Sequence, residues 1–235
     1  MGWYMVKSGL DESLAEPGET PRVSAYRLAA HLGTALLFYA TSLNTAWYVQ
    51  DKYHAGGSDI KPTAILRKVR FGAVGAAHAV FLTAITGAFV AGLDAGLLYG
   101  TYPKFADRWI PPWQDMFPTR TTTDSKTAVI GSHPLWRHVF ENGVTVQFNH
   151  RMIAQATYVG VVALWLYTRK LVRLGLATRS IGTAANILVG LATCQVGLGI
   201  GTILLNVPIS WAALHQLGSV AVLTSAMALV RRVPK

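Results

Sequence analysis

Hydrophobic positions along this chain come in long blocks, with no strand-like alternation through them. Residues 28–50 and 71–93 contain no Lys, Arg, Asp or Glu, and 152–168 is a shorter free run. Residues 180–230 are also free of charge, but Asn206-Val207-Pro208 interrupts them. Proline lacks an amide donor and restricts the residue before it, so that run divides into two helices. Each piece approaches the ~20 residues that cross a hydrocarbon layer. The pattern predicts five transmembrane helices, at about 28–50, 71–94, 148–168, 181–205 and 211–230, in an all-α polytopic membrane protein.

Composition agrees. Of 235 residues, 51% are hydrophobic and 14% charged, and the mean hydropathy is +0.34. A soluble domain carries roughly a quarter charged residues. The net charge of +10 is read through the loops that carry it, not as a nucleic-acid footprint. The segments 51–70, 169–179 and 231–235 hold twelve basic residues against two acidic ones, and the rest of the chain holds nine of each. The positive-inside rule puts those segments, and the C-terminus, on the cytoplasmic or matrix side. The first residues then lie outside. No signal peptide precedes them, and Gly2–Val6 looks like the last turns of a preceding helix, with an interfacial aromatic anchor as the plain alternative. The expectation is a chain lacking one or more upstream helices. Residues 1–50 would be the remnant of an N-terminal bundle, 51–70 a basic inner loop and 71–235 a four-helix bundle.

Histidines within spans are functional-site candidates. At ~1.5 Å per residue, His150 stands ~28 Å above Arg169, His215 ~24 Å above Arg231 and His31 ~31 Å above Lys52. These three share the outer third, whereas His78, only ~12 Å past Arg70, cannot meet them. Two imidazoles at one depth on facing helices can fill both axial positions of an iron macrocycle. Zinc fits less well, since no carboxylate lies inside a span. Depth alone leaves His150 and His215 equally open as ligands or as hydrogen bonders at helix mouths. Arg151 could pair with a heme propionate or simply snorkel to the interface. His78 reads as bonded within the bundle, His54, His133 and His138 as solvated, and Cys194 as a small buried apolar residue. Gly87, Gly92 and Gly96 on the second span, and Gly190, Gly197, Gly199 and Gly201 on the fourth, permit close approach of a helix or a bulky ligand. A weak repeat relates residues 29–35 (AAHLGTA) to 213–219 (ALHQLGS), as though the first span closed a second, related bundle.

Five stretches carry a family resemblance: GWYMVKSGL at 2–10, YRLAAHLG at 26–33, GAFVAGLDAG at 87–96, VQFNHR at 146–151 and QVGLGI at 195–200. Together and in this order they resemble heme A synthases of the mitochondrial and alphaproteobacterial type. The resemblance implies eight helices in two pseudo-symmetric bundles and oxidation of the C8 methyl of heme O to the formyl group of heme A. It implies that His150 and His215 hold a heme b and that His31 is the second histidine of the substrate-heme site. It further implies a mitochondrial inner membrane, or a bacterial one, and an electron donor such as a ferredoxin system. A contact with heme O synthase and a homo-oligomer stay open, as does a non-catalytic b-type cytochrome or heme-holding assembly factor. A transporter with histidines along its pathway ranks last.

Overall fold

The structure, a computed structural model, describes residues 2–9, 23–53, 63–118 and 134–234. Among them are eight α-helices and no strands: α1 (Gly2–Gly9), α2 (Ala25–Tyr53), α3 (Ala64–Gly92), α4 (Trp113–Met116), α5 (Leu135–Glu141), α6 (Gly143–Arg173), α7 (Arg179–Leu204) and α8 (Ile209–Arg232). A 3-10 turn at Ala95–Leu97 follows α3.

The long helices overrun the expected spans. α3 starts at Ala64 and α2 runs to Tyr53, so much of the segment expected as a basic inner loop at 51–70 is helix. Charge ends a span, but it does not end a helix: Arg67, Lys68 and Arg70 have good helix propensity and continue α3 beyond the apolar part. Side-chain caps then set the boundaries. Thr63, Asn142 and Thr178 accept from the backbone N–H groups of Leu66, Thr145 and Ile181. Pro208 begins α8 directly, after Asn206 and Val207 turn the chain with φ of 59° and 57°.

α3, α7 and α8 are long and apolar enough to cross a membrane. α2 and α6 are as long but more polar. In α2, Thr34, Thr41 and Thr45 return their hydroxyls to the carbonyls of Ala30, Leu37 and Thr41, which hides polarity that hydropathy counts in full. Large apolar side chains face outward, among them Phe38, Phe71, Val159 and Leu217. A lipid solvent accepts such a surface. Cys194 also faces outward and is exposed, against its expected burial, since a thiol costs nothing on a lipid-facing helix surface.

α3 packs on α6 and α8, and α7 packs on the same two. These four therefore close a ring in which α6 and α8 stand diagonally. α2 lies outside the ring against α3, where Gly92 lets the Ala25 backbone approach so closely that an added Cβ would come within 2.7 Å of its Cα. At the basic end, Arg70 of α3 donates to the carbonyls of Val230 (2.9 Å) and Val233 (3.0 Å), closing the C-terminus of α8. Arg231 pairs with Asp51 and holds α8 to α2. The larger buried cluster runs from this end up to Val80, Val161, Ala192 and Val222, and a second, of Ala25, Ala29, Ala88, Phe89, Ala95 and Val146, packs α2, α3 and α6 at the other end. His150 and His215 lie beyond the first cluster on α6 and α8.

Candidate functional site

His31, His150 and His215 lie six, seven and six residues into α2, α6 and α8, so each stands ~9–10 Å from the start of its helix. The equal register expected from the charged residues is thus present in the helices themselves. His150 and His215 project from the diagonal pair of the ring.

A glycine on an intervening helix flanks each ring. A Cβ at Gly87 of α3 would lie 3.2 Å from His150 Cε1, and one at Gly199 of α7 would lie 2.9 Å from His215 Cε1. Two residues before Gly199, on the exposed face of α7, a Cβ at Gly197 would meet nothing within 4 Å. The imidazoles and their flanking glycines share this level of the ring. The Nδ1 of His215 is buried there with no hydrogen-bond partner among the described residues. A buried polar nitrogen without a partner is costly, and a ligand or tautomer choice must compensate it. Among the described residues no three of His, Cys, Asp and Glu come together as a metal cage. The donor set is a pair of neutral imidazoles, which fits the axial positions of a heme.

Thr86 of α3 sits 2.8 Å from His150 Nδ1. Sequence reading missed this residue, although its place one position before Gly87 was a usable signal. Gln195 of α7 donates to the His215 carbonyl at 2.7 Å and fixes α8 against α7.

The structure gives Arg151 a task that spacing did not reveal. It is 5% exposed, its Nη2 donates to the Tyr99 carbonyl at 2.7 Å, and its Nη1 donates to those of Thr101 (2.9 Å) and Lys104 (3.4 Å). Its guanidinium lies over the Phe105 ring, 4.3 Å from the centroid. Gln147, one turn earlier, donates to the carbonyls of Tyr99 (3.2 Å) and Gly96 (3.4 Å). One face of α6 therefore clamps the segment 96–105, with the guanidinium directed at backbone carbonyls and only Nε left without a partner. Burial raises the Tyr99 phenol above its ordinary pKa of 10.0, and neighbouring Asp115 raises it further.

The remaining histidines separate from the pair. His31 lies against α1, where a Cβ on Gly2 would be 3.2 Å from its Cε1. His78 sits on an exposed face of α3 and bonds the Val74 carbonyl of its own helix, rather than a neighbour in the bundle. His138 is not a solvated loop residue: it lies in α5, 9% exposed, with its ring 5.8 Å from that of Phe117. A short amphipathic helix at the end of a loop can bury an imidazole that hydropathy leaves outside. His54 and His133 lie outside the described residues.

Fold and site together define an all-α, multi-pass membrane protein with paired imidazoles across a four-helix ring. The family model of COX15-CtaA, described as cytochrome oxidase assembly protein, matches residues 1–227, and the chain belongs to that family. It is 46% identical over 238 residues to heme A synthase COX15 of Bos taurus, covering 100% of this chain and 52% of the relative. It is 36% identical over 246 residues to a heme A synthase–mitochondrial ferredoxin fusion protein of Schizosaccharomyces pombe, covering 99% of this chain and 39% of that one. To heme A synthase of Nitrosospira multiformis it is 36% identical over 227 residues, with 97% and 55% covered. The chain spans about half the length of the curated relatives it matches.

Proposed function

We propose that this chain forms the heme b-holding bundle of a heme A synthase, with His150 and His215 as the two axial ligands. The reading rests above all on two imidazoles of equal register, on diagonal helices, each beside a glycine of an intervening helix. A bound bis-histidine heme supplies one-electron redox chemistry with no open iron position, which suits electron delivery.

The residues of the chain have distinct parts in this. α6 and α8 present the imidazoles from opposite corners of the ring. Gly87 and Gly199 admit the rings, and the packed core below excludes water on the basic side. Gln147 and Arg151 seat the segment 96–105 beside the ligand turn. His31 belongs to the neighbouring substrate site, where heme O is oxidised at its C8 methyl to heme A for cytochrome c oxidase. The fusion of a relative to a mitochondrial ferredoxin supports a ferredoxin-type electron donor. The mitochondrial inner membrane is the proposed location.

The test is a reduced-minus-oxidised spectrum of the detergent-purified protein, with pyridine extraction of its heme. The expected result is a low-spin b-type spectrum that His150→Ala and His215→Ala each abolish while the protein still inserts. Unchanged heme in either variant sinks the ligand assignment. Supplying heme O then separates the enzyme from a non-catalytic b-type cytochrome, because only the enzyme yields hydroxylated or formyl product.

A further inference from the structure

We infer that Thr86 is the positioning residue of His150: its hydroxyl accepts a hydrogen bond from His150 Nδ1–H, fixing the tautomer in which Nε2 carries the lone pair that binds iron. The inference rests on the heme reading of the site and adds a residue to it.

The assignment follows from counting protons. A threonine hydroxyl has one O–H to donate. That of Thr86 goes to the Thr83 carbonyl at 2.8 Å. Its 2.8 Å contact with His150 Nδ1 then requires a proton on the nitrogen, because the oxygen has only lone pairs left to offer. A neutral imidazole protonated at Nδ1 has its lone pair on Nε2.

Thr86 is itself well held. The next polar residue down α3, Thr83, donates to the Ala79 carbonyl at 2.7 Å and meets Thr157 of α6 at 3.0 Å. This pair of threonine contacts fixes α3 against α6 at the ligand turn, so the acceptor stays in place when the ring would swing. His215 has no such partner: its Nδ1 is buried without a hydrogen bond. The two axial ligands are thus unequal. A hydrogen bond from the distal N–H of a ligating histidine orients the ring and raises its basicity. A more basic ligand favours ferric over ferrous iron, so Thr86 lowers the potential of the bound heme through His150.

The decisive variant is Thr86→Val, which keeps the shape and removes the acceptor, beside Thr86→Ser, which keeps the acceptor. Spectroelectrochemical titration of the heme-loaded protein should show a higher midpoint potential for Thr86→Val and a value near wild type for Thr86→Ser. A tenfold loss of the ferric preference corresponds to about 59 mV for a one-electron couple. An unchanged potential in a Thr86→Val protein that still holds heme overturns the inference, while the ligand reading stands. Should Thr86→Val lose heme altogether, nitrogen-15 NMR of histidine-labelled, heme-free wild type decides. His150, assigned by its loss in His150→Ala, should show the Nδ1–H tautomer, and an Nε2–H signal overturns the inference. No heme in wild type would sink the ligand reading, and the NMR measurement would still decide the Thr86 bond.

Discussion

Arg151→Met tests whether this residue seats the loop or waits for a propionate. The side chain keeps its apolar stem and loses the guanidinium. Two strong hydrogen bonds go, at 2.7 Å to Tyr99 and 2.9 Å to Thr101, with a weaker one at 3.4 Å to Lys104. Bonds from a charged donor contribute about 1.5–3 kcal/mol each. The contact over Phe105 adds about 0.5–2 kcal/mol. These terms are not additive, and about 4 kcal/mol is a fair figure for the cost of opening the segment, close to that of breaking a buried charged pair. At 1.4 kcal/mol per decade, about 4 kcal/mol is a rise of about a thousandfold in the open population. Hydrogen exchange reads this directly, since the amides of Phe105, Ala106 and Arg108 are bonded only within the segment, to Arg108, Thr101 and Phe105. Arg151→Lys should recover little, because an ammonium lacks the planar fork and its stacking. Unchanged protection in Arg151→Met would refute the clamp. Loss of heme with the loop still protected would return Arg151 to the propionate role.

Gly199→Ala gains about 1 kcal/mol of helix propensity but places a methyl 2.9 Å from His215 Cε1, an overlap costing about 1–3 kcal/mol unless the ring moves. Heme per protein should fall in that variant, whereas Gly190→Ala, with nothing within 4 Å, should keep heme and gain stability by about 1 kcal/mol; equal heme in both would refute the cradle. His78→Ala should leave the heme spectrum unchanged and cost no more than about 1.5 kcal/mol in thermal unfolding, since it loses one bond within its own helix. The raised pKa of Tyr99 means that the folded state prefers the neutral phenol, so its contribution is whole below pH 10.0 and fades as pH rises through the folded value. Tyr99→Phe should therefore flatten the alkaline fall of the thermal midpoint, and an identical fall in both proteins would disprove the linkage.

The common level of His150 and His215 was legible because depth is encoded by the helical rise alone. Charged residues mark the basic end, 1.5 Å per residue carries the register upward, and the equal level of His150 and His215 follows without tertiary information. Helix ends were less legible. Hydropathy sees where lipid stops, but α3 extends past that level as far as its cap at Thr63, and α2 is still helical at Tyr53. The facing of side chains was illegible for a different reason. Arg151 sits at a helix mouth on any linear reading, and its partners are backbone carbonyls 47–52 residues away that no side-chain pattern announces. Cys194 and His138 failed in opposite directions. Burial in a membrane protein divides lipid from core, and hydropathy divides lipid from water.

The first two and a half turns or so of α6 explain why the site and the loop belong together. Asn142 caps the helix and donates to the Asp115 carbonyl, and the Thr145 hydroxyl donates to the Met116 carbonyl. Gln147 and Arg151, four apart, share the Tyr99 carbonyl on one face, while His150 lies between them on the face toward the ring. Residues four apart stack on one side of a helix, and the position before the second points about 100° away. The spacing that lets α6 grip the segment 96–105 therefore aims the imidazole into the bundle. The loop cannot be released without unloading the turn that carries His150, and Thr86 holds that ring from the other side. Loop seating and imidazole orientation are two consequences of one helical register.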